Sequence, residues 1–339
     1  MAEATQRQDS LAKPIGSFGT LEEISIKLAG ITGSVKNRIG KKCVIIMVAD
    51  NGVYEEGVSS CPQVVTMTQS INFIKGITGI GVLSRFGGVD LRVFDLGINS
   101  DFPFPGIIDK RIRKCTSNMA MGPAMSREEA IRAVEIGIDA VEQLAREGYQ
   151  LLGTGEMGIG NTSTSSAVLI GLTRCDADTA VGKGAGLTEE GLANKKKIIR
   201  RALAINRPNP EDPVDVLAKV GGFDIAGLAG CFLGAAYCRL PIVIDGFISA
   251  LAAMVAYRIN PLVRAYMFPS HCSEEPGYAL IMKELGLEPI LNLHMRLGEG
   301  TGCPLAFTVI EAAEAVICNM ATFKEAEITS DTYIDIRRS

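Results

Sequence analysis

The chain has 339 residues, with 34 basic and 38 acidic side chains, a formal net charge of −4 and 47% apolar residues. That apolar share supports a sizeable core in one large domain or two and argues against extended disorder. The charges nearly balance, and no basic stripe with interleaved aromatics appears, which argues against a nucleic-acid partner.

Met1 to Lys13 is polar and reads as a frayed end. Lys13-Pro14-Ile15-Gly16-Ser17-Phe18-Gly19 is turn-rich, and Thr20 then caps a helix with Glu23 in the capping-box position. Lys42 to Ala49 is a continuous apolar run, the pattern of a parallel strand buried on both faces, and it closes on Asp50-Asn51-Gly52-Val53. A loop from Glu55 to Pro62 leads to one helix around Thr66 to Phe86, and Val89 to Leu96 is the next strand. Asp101 to Met125, rich in Pro and Gly, reads as an irregular flap. Ser126 caps a helix with Glu129 in the capping-box position. Its apolar residues Ile131, Val134, Ile138, Val141 and Ala145 recur at steps of three and four, and Gly148 ends it.

The stretch Tyr149 to Ile170, YQLLGTGEMGIGNTSTSSAVLI, organises the rest. Tyr149 to Leu152 reads as a strand end, followed by a loop with Gly153, Gly155, Gly158 and Gly160 around a single carboxylate, Glu156. The glycines let backbone turn tightly and approach a ligand. Asn161, Thr162 and Ser163 open a helix, where unpaired N–H groups attract an anion. The expected ligand therefore carries a phosphate. The spacing Gly153-x-Gly155-x-x-Gly158 also fits a dinucleotide fingerprint, so an NAD-binding oxidoreductase is a competing reading. Against it, Glu156 would repel a pyrophosphate, and no clear strand ending in an acid follows about twenty residues later.

After Gly182 to Gly186 a helix starts at Thr188. Leu240 to Ile244, Val263 to Phe268 and Pro289 to Leu293 read as strands, and Pro304 to Ala321 as a final helix before a polar tail. Strands alternating with helices imply an α/β fold, a parallel Rossmann-like sheet with flanking helices. The polar loops after its strands should then converge on one site. Lys195 shares a helical stripe with Leu192, Ile199 and Ala202, so unlike its neighbours Lys196 and Lys197 it points inward and is a candidate phosphate ligand.

Glu299 lies in LGEGTG, unshielded by its glycine neighbours but close to the core, where desolvation raises a carboxylate's basicity. With Glu156 it forms a pair suited to a base and a developing positive charge. His271 reads equally well as a ligand-orienting or a satisfied histidine, and His294 as structural. No metal or cofactor is expected from this ligand set. The nine cysteines are scattered without a C-x-x-C pair, which fits reduced thiols in a cytoplasm. The most apolar region, Ile225 to Ile259, is broken by Arg239, Pro241 and Asp245, so no membrane span is expected.

Lys13-Pro14-x-Gly16-Ser17, Glu56-Gly57-Val58-Ser59, GEMGIGNTS, GLANK, SHCSEE-x-G and MRLGEGTG follow in the order and spacing of one family, from about Lys13 to Phe323. In these motifs the chain resembles nicotinate-nucleotide:5,6-dimethylbenzimidazole phosphoribosyltransferases, which assemble the lower ligand of cobalamin. The resemblance implies phosphoribosyl transfer from nicotinate mononucleotide to an aromatic base, without magnesium. It implies Glu299 as general base and Glu156 facing the oxocarbenium-like ribose. Substrate-binding positions would be Gly155, Gly158, Gly160, Asn161, Thr162, Gly184, Lys195, Ser273, Ser59 and Met67.

The resemblance also implies a small helical domain built from both chain ends (1–38 and 304–339) beside a large α/β domain (39–303). Homodimers are implied, with the loop at Lys13 to Gly19 acting in trans, or a heterodimer with a related subunit. A noncatalytic subunit of such a pair would have lost Glu299, Lys195 or the glycine loop, and all three are present. Two positions depart from the family. Asn51 stands where a histidine is usual, and Met67 takes the place of a glutamine near Thr66, which points to a more apolar, phenolic acceptor.

Overall fold

The run KKCVIIMVA alternates its side chains between two faces, and both faces are covered. Cys43, Ile45, Met47 and Ala49 join one hydrophobic cluster, while Val44, Ile46 and Val48 join another. In the computed structural model, which describes residues 1–101, 103–184, 186–329 and 334–337, this run is β1, Lys41–Ala49. It lies inside a six-stranded parallel sheet with β2 Asp90–Gly97, β3 Ile108–Asp109, β4 Tyr149–Met157, β5 Ile242–Ile244 and β6 Met267–Pro269. The spatial order is β3-β2-β1-β4-β5-β6, the doubly wound order, with its switch point between β1 and β4.

Helices Arg127–Arg146, Asn161–Thr173, Phe223–Cys238 and Phe247–Ile259 contribute to the first cluster. The second face is covered from both chain ends, by Ile24, Leu28 and Ile31 of helix Thr20–Thr32 and by Phe307, Ile310 and Ala313 of helix Gly302–Asn319. That last helix has the length and apolarity of a membrane span, yet these side chains and Ile317 are buried within the fold. Positions 330–333, 338 and 339 of the C-terminal region lie outside the described residues.

The capping box at Ser126 and Glu129 forms as expected. Elsewhere tertiary contacts override local signals. Ala2–Ser10 is a helix instead of a frayed end, because Ala4 and Gln8 are buried and Gln8 Nε2 donates to Ser25 Oγ at 2.8 Å. Gly19 takes the N-cap position before Thr20. Glu22, not Glu23, accepts the Phe18 N–H at 3.1 Å and pairs with the buried Lys13 at 2.6 Å.

The helix expected over 66–86 is two helices, Val64–Lys75 and Gly79–Gly87, separated where Gly76 turns left-handed (φ 69°). Among the described residues Pro289 to Leu293 makes one isolated bridge, Leu291 to His271, instead of a strand, and Pro261–Tyr266 is a 3₁₀ turn ahead of β6. Part of the irregular 101–125 segment pairs with β2 as β3. β4 runs on to Met157, so Gly153 and Gly155 belong to the strand and not to a loop.

Candidate active site

The two strand glycines are small for a packing reason. A Cβ on Gly153 would lie 2.7 Å from Cys303 Cβ, and one on Gly155 would lie 2.7 Å from the Glu299 carbonyl oxygen. The 299–303 segment therefore rests directly on β4, and the spacing that mimicked a dinucleotide fingerprint has a different cause. The true loop is Gly158-Ile159-Gly160. A Cβ on Gly158 would collide with the Ala49 carbonyl oxygen at 2.2 Å, and Gly160 closes the turn at φ 95° before Asn161 opens its helix. Ile159 N–H donates to Thr66 Oγ1 at 3.0 Å, which ties this loop to helix Val64–Lys75.

A cavity of about 320 Å³ opens beyond the carboxyl ends of β4, β5 and β6, and Glu156 and Glu299 both line it. Glu299 sits at φ 62° between Gly298 and Gly300, which are also left-handed, so a side chain occupies a turn suited to glycine. The turn is held from below by Asp245, which accepts Gly300 N–H at 3.0 Å and Gly302 N–H at 2.7 Å. Glu299 N–H in turn donates to Glu156 Oε1 at 3.3 Å. Gln69 Nε2 donates to Glu299 Oε1 at 2.6 Å, while Glu299 Oε2 is buried with no hydrogen-bond partner among the described residues.

Burial pushes the Glu156 carboxyl up to about 6; hydrogen bonds from Asn161 and from the Glu299 backbone oppose the rise, and the Glu299 charge adds to it. Asp245 rises to about 7, chiefly through burial. Burial also lowers the His271 pKa, and its Nδ1 lies 3.0 Å from Ser270 Oγ.

One end of the cavity is an anion niche. Gly184, at φ 54°, leaves space where a Cβ would stand 2.9 Å from Thr162 Oγ1 and 3.5 Å from Lys195 Nζ. Thr162, Gly184 and Ser273 line the cavity; Lys195, fully buried, lies just behind it and donates to Thr162 Oγ1 at 2.8 Å and to the Gly182 carbonyl at 3.1 Å. Burial lowers its pKa to about 8. An ammonium here, with the first turn of helix Asn161–Thr173 beside it, suits a phosphate.

Glu299, Glu156, Gly158, Asn161, Thr162, Gly184 and Ser273 thus converge on one cavity. Gly155, Gly160 and Lys195 support it from behind. Two expected residues do not line it. Ser59 Oγ accepts the Cys61 N–H at 3.2 Å, and it is Cys61 that faces the cavity. Met67 packs against the second hydrophobic cluster and does not line the cavity. Residues two apart on a helix point about 200° apart by the 3.6-residue turn, and here Val65 and Gln69, four apart, face the cavity. The glutamine that faces the cavity near Thr66 is Gln69.

Asp245, which orders the Glu299 turn, had a usable signal, since it closes an apolar strand run. Asp224, at the start of an apolar helix, had none; it reaches the site only because Asn161 Nδ2 donates to its Oδ2 at 3.1 Å.

Comparison with known proteins places this geometry among characterised folds. A family model described as "DBI_PRT: Phosphoribosyltransferase" matches residues 1–328. A nicotinate-nucleotide–dimethylbenzimidazole phosphoribosyltransferase from Clostridium acetobutylicum is 57% identical over 328 residues, which is 97% of this chain and 93% of that protein. Its namesake from Geobacter sulfurreducens is 48% identical over 98% of this chain and 95% of its own length. The crystal structure of CobT from Thermus thermophilus superposes with a TM-score of 0.93 at 40% identity, covering 97% of this chain and 98% of that one.

Proposed function

This chain belongs to that phosphoribosyltransferase family, and we propose that it transfers the phosphoribosyl group of nicotinate mononucleotide to an aromatic lower-ligand base, 5,6-dimethylbenzimidazole in the first instance. The products are nicotinate and an α-riboside phosphate for cobamide synthesis. The names of the relatives agree with this donor and acceptor class. The observation that carries the reading is Glu299, one carboxylate oxygen anchored by Gln69 and the other buried without a partner, in the same cavity as the anion niche.

The 5′-phosphate sits at Gly184, Thr162 and Lys195. This places the ribose along Asn161 and Glu156, because Thr162 adjoins Asn161 and Asn161 Nδ2 donates to Glu156 Oε2. The acceptor enters against Val65 and Gln69. As its ring nitrogen bonds to the anomeric carbon, the bond to nicotinate breaks and its electron pair returns to the pyridinium nitrogen, so the leaving group needs no proton. The acceptor's N–H proton passes to Glu299, and the Glu156 carboxylate stabilises the cationic ribose. A second chain is part of the proposal; the exposed Ile77, Val82 and Phe86 around helix Gly79–Gly87 support pairing there.

Incubation with nicotinate mononucleotide and a panel of 5,6-dimethylbenzimidazole, phenol and p-cresol, with products identified by mass spectrometry, tests the reading. An α-riboside phosphate and stoichiometric nicotinate are expected. No transfer to any acceptor, or tight binding of NAD in place of the mononucleotide, would overturn it.

A further inference from the structure

The mechanism above uses Glu156 as an anion but leaves a second buried acid beside it unused. Asp224 is fully buried at the start of helix Phe223–Cys238. A single amide group, Asn161 Nδ2, donates to Asp224 Oδ2 and to Glu156 Oε2. The other oxygen, Asp224 Oδ1, has no hydrogen-bond partner among the described residues. It borders the same small space as another acceptor: one point, the position a Cβ on Gly222 would take, lies 2.4 Å from Asp224 Oδ1 and 2.5 Å from Asn51 Oδ1. The Asn51 amide is oriented with Nδ2 donating to the Ala49 carbonyl at 3.4 Å and Oδ1 accepting from Thr164 Oγ1 at 3.4 Å.

The charged groups around this acid do not offset a second anion. From β4 comes Glu156, of the same sign; from the end of β1 and from helix Asn161–Thr173 come the neutral Asn51 and Asn161. Arg113 lies over the ring of the neighbouring Phe223, but its guanidinium is committed to Glu129 and to the carbonyls of Cys115 and Ala124. Two ionised carboxylates sharing one amide in a buried site repel each other with no cation between them, so a proton on one is the stable arrangement. The two acceptor oxygens that border one space beside Gly222, on Asp224 and on Asn51, mark where it lies.

We propose that Asp224 is held as the neutral carboxylic acid, its hydroxyl on Oδ1 donating to Asn51 Oδ1, and that it acts through Asn161 as a positioning residue that leaves Glu156 the single anion facing the ribose. The role assigned to Glu156 rests on the transferase reading, whereas the protonation state of Asp224 does not. Burial, the largest influence, and the Glu156 charge move the Asp224 pKa up to about 7, against Asn161 and the helix-start backbone N–H groups of Ile225 and Asp224, which favour the anion.

The test compares the native protein with Asp224→Asn and Asp224→Ala. Infrared difference spectra of native minus Asp224→Asn, taken below the raised pKa, should contain the carbonyl stretch of a protonated carboxyl. Asp224→Asn, whose amide N–H replaces the hydroxyl donor, should keep kcat within about threefold of native, far from the loss of about a hundredfold or more that removal of a catalytic carboxylate brings. Asp224→Ala frees Asn161 and should lower kcat by about tenfold or more, the worth of one lost buried hydrogen bond.

An ionised carboxylate signal for Asp224, or a hundredfold loss in Asp224→Asn, overturns the proposal. Should Asp224→Asn fail to fold, carbon-13 NMR of native protein labelled at the aspartate carboxyls decides the protonation state. If neither protein transfers phosphoribosyl, the functional reading fails, and the spectrum still decides this inference.

Discussion

Replacing Glu299 by Gln removes a proton acceptor and almost nothing else. The amide has the volume of the carboxyl, and its oxygen must stay on the Gln69 side, because Gln69 Nε2 already donates there at 2.6 Å and a facing NH₂ would meet donor with donor. The new NH₂ then occupies the place of Oε2, the buried atom with no partner. Asp245 still holds the turn through Gly300 and Gly302, and the anion niche is untouched.

The expected loss is that of a positioned general base, about 10²- to 10⁴-fold in kcat. At about 1.4 kcal/mol per tenfold this is roughly 3 to 5.5 kcal/mol of transition-state stabilisation. KM for nicotinate mononucleotide should stay near native, since no ground-state contact to the phosphate changes. Initial rates of nicotinate release with 5,6-dimethylbenzimidazole, with thermal melts as a folding control, measure both. Turnover within tenfold of native in a folded variant would remove Glu299 from the base role.

Gly155→Ala should push the Glu299 turn off β4, because the added carbon would stand 2.7 Å from the Glu299 carbonyl oxygen. We expect a lower melting temperature and a fall in kcat, and native values of both would refute the contact. Lys195 is charged below its lowered pKa of about 8 and neutral above it, so the niche weakens as pH rises. KM for the mononucleotide should therefore climb above about pH 8 in the native enzyme, and Lys195→Met should show a raised KM with that rise removed; a flat native profile would count against the niche. Met67→Gln should leave the ratio of rates for 5,6-dimethylbenzimidazole and phenol unchanged, because Met67 packs into the second hydrophobic cluster, whereas Gln69→Leu should alter it. Kinetics of the two variants with both acceptors separate these outcomes.

Local pattern carried much of this protein. The apolar run ending at Ala49 and the stripe on helix Arg127–Arg146 each follow from a period of side-chain chemistry that a short segment contains whole. The same holds for the inward face of Lys195, now fully buried, and for the glycine-flanked acids at Glu156 and Glu299.

The features that escaped the sequence are relations between distant segments. Met67 and Gln69 are equally plausible acceptor contacts until packing chooses which face of their helix is buried against the sheet cluster. Gly153 and Gly155 look like a phosphate loop until the 299–303 segment is laid on β4. Asp224 reads as an ordinary helix-start acid until folding brings it within reach of Asn161 and Asn51, across at least 63 residues of chain. Burial then sets its protonation, because the cost of a charge depends on what surrounds it in space and not on its neighbours along the chain.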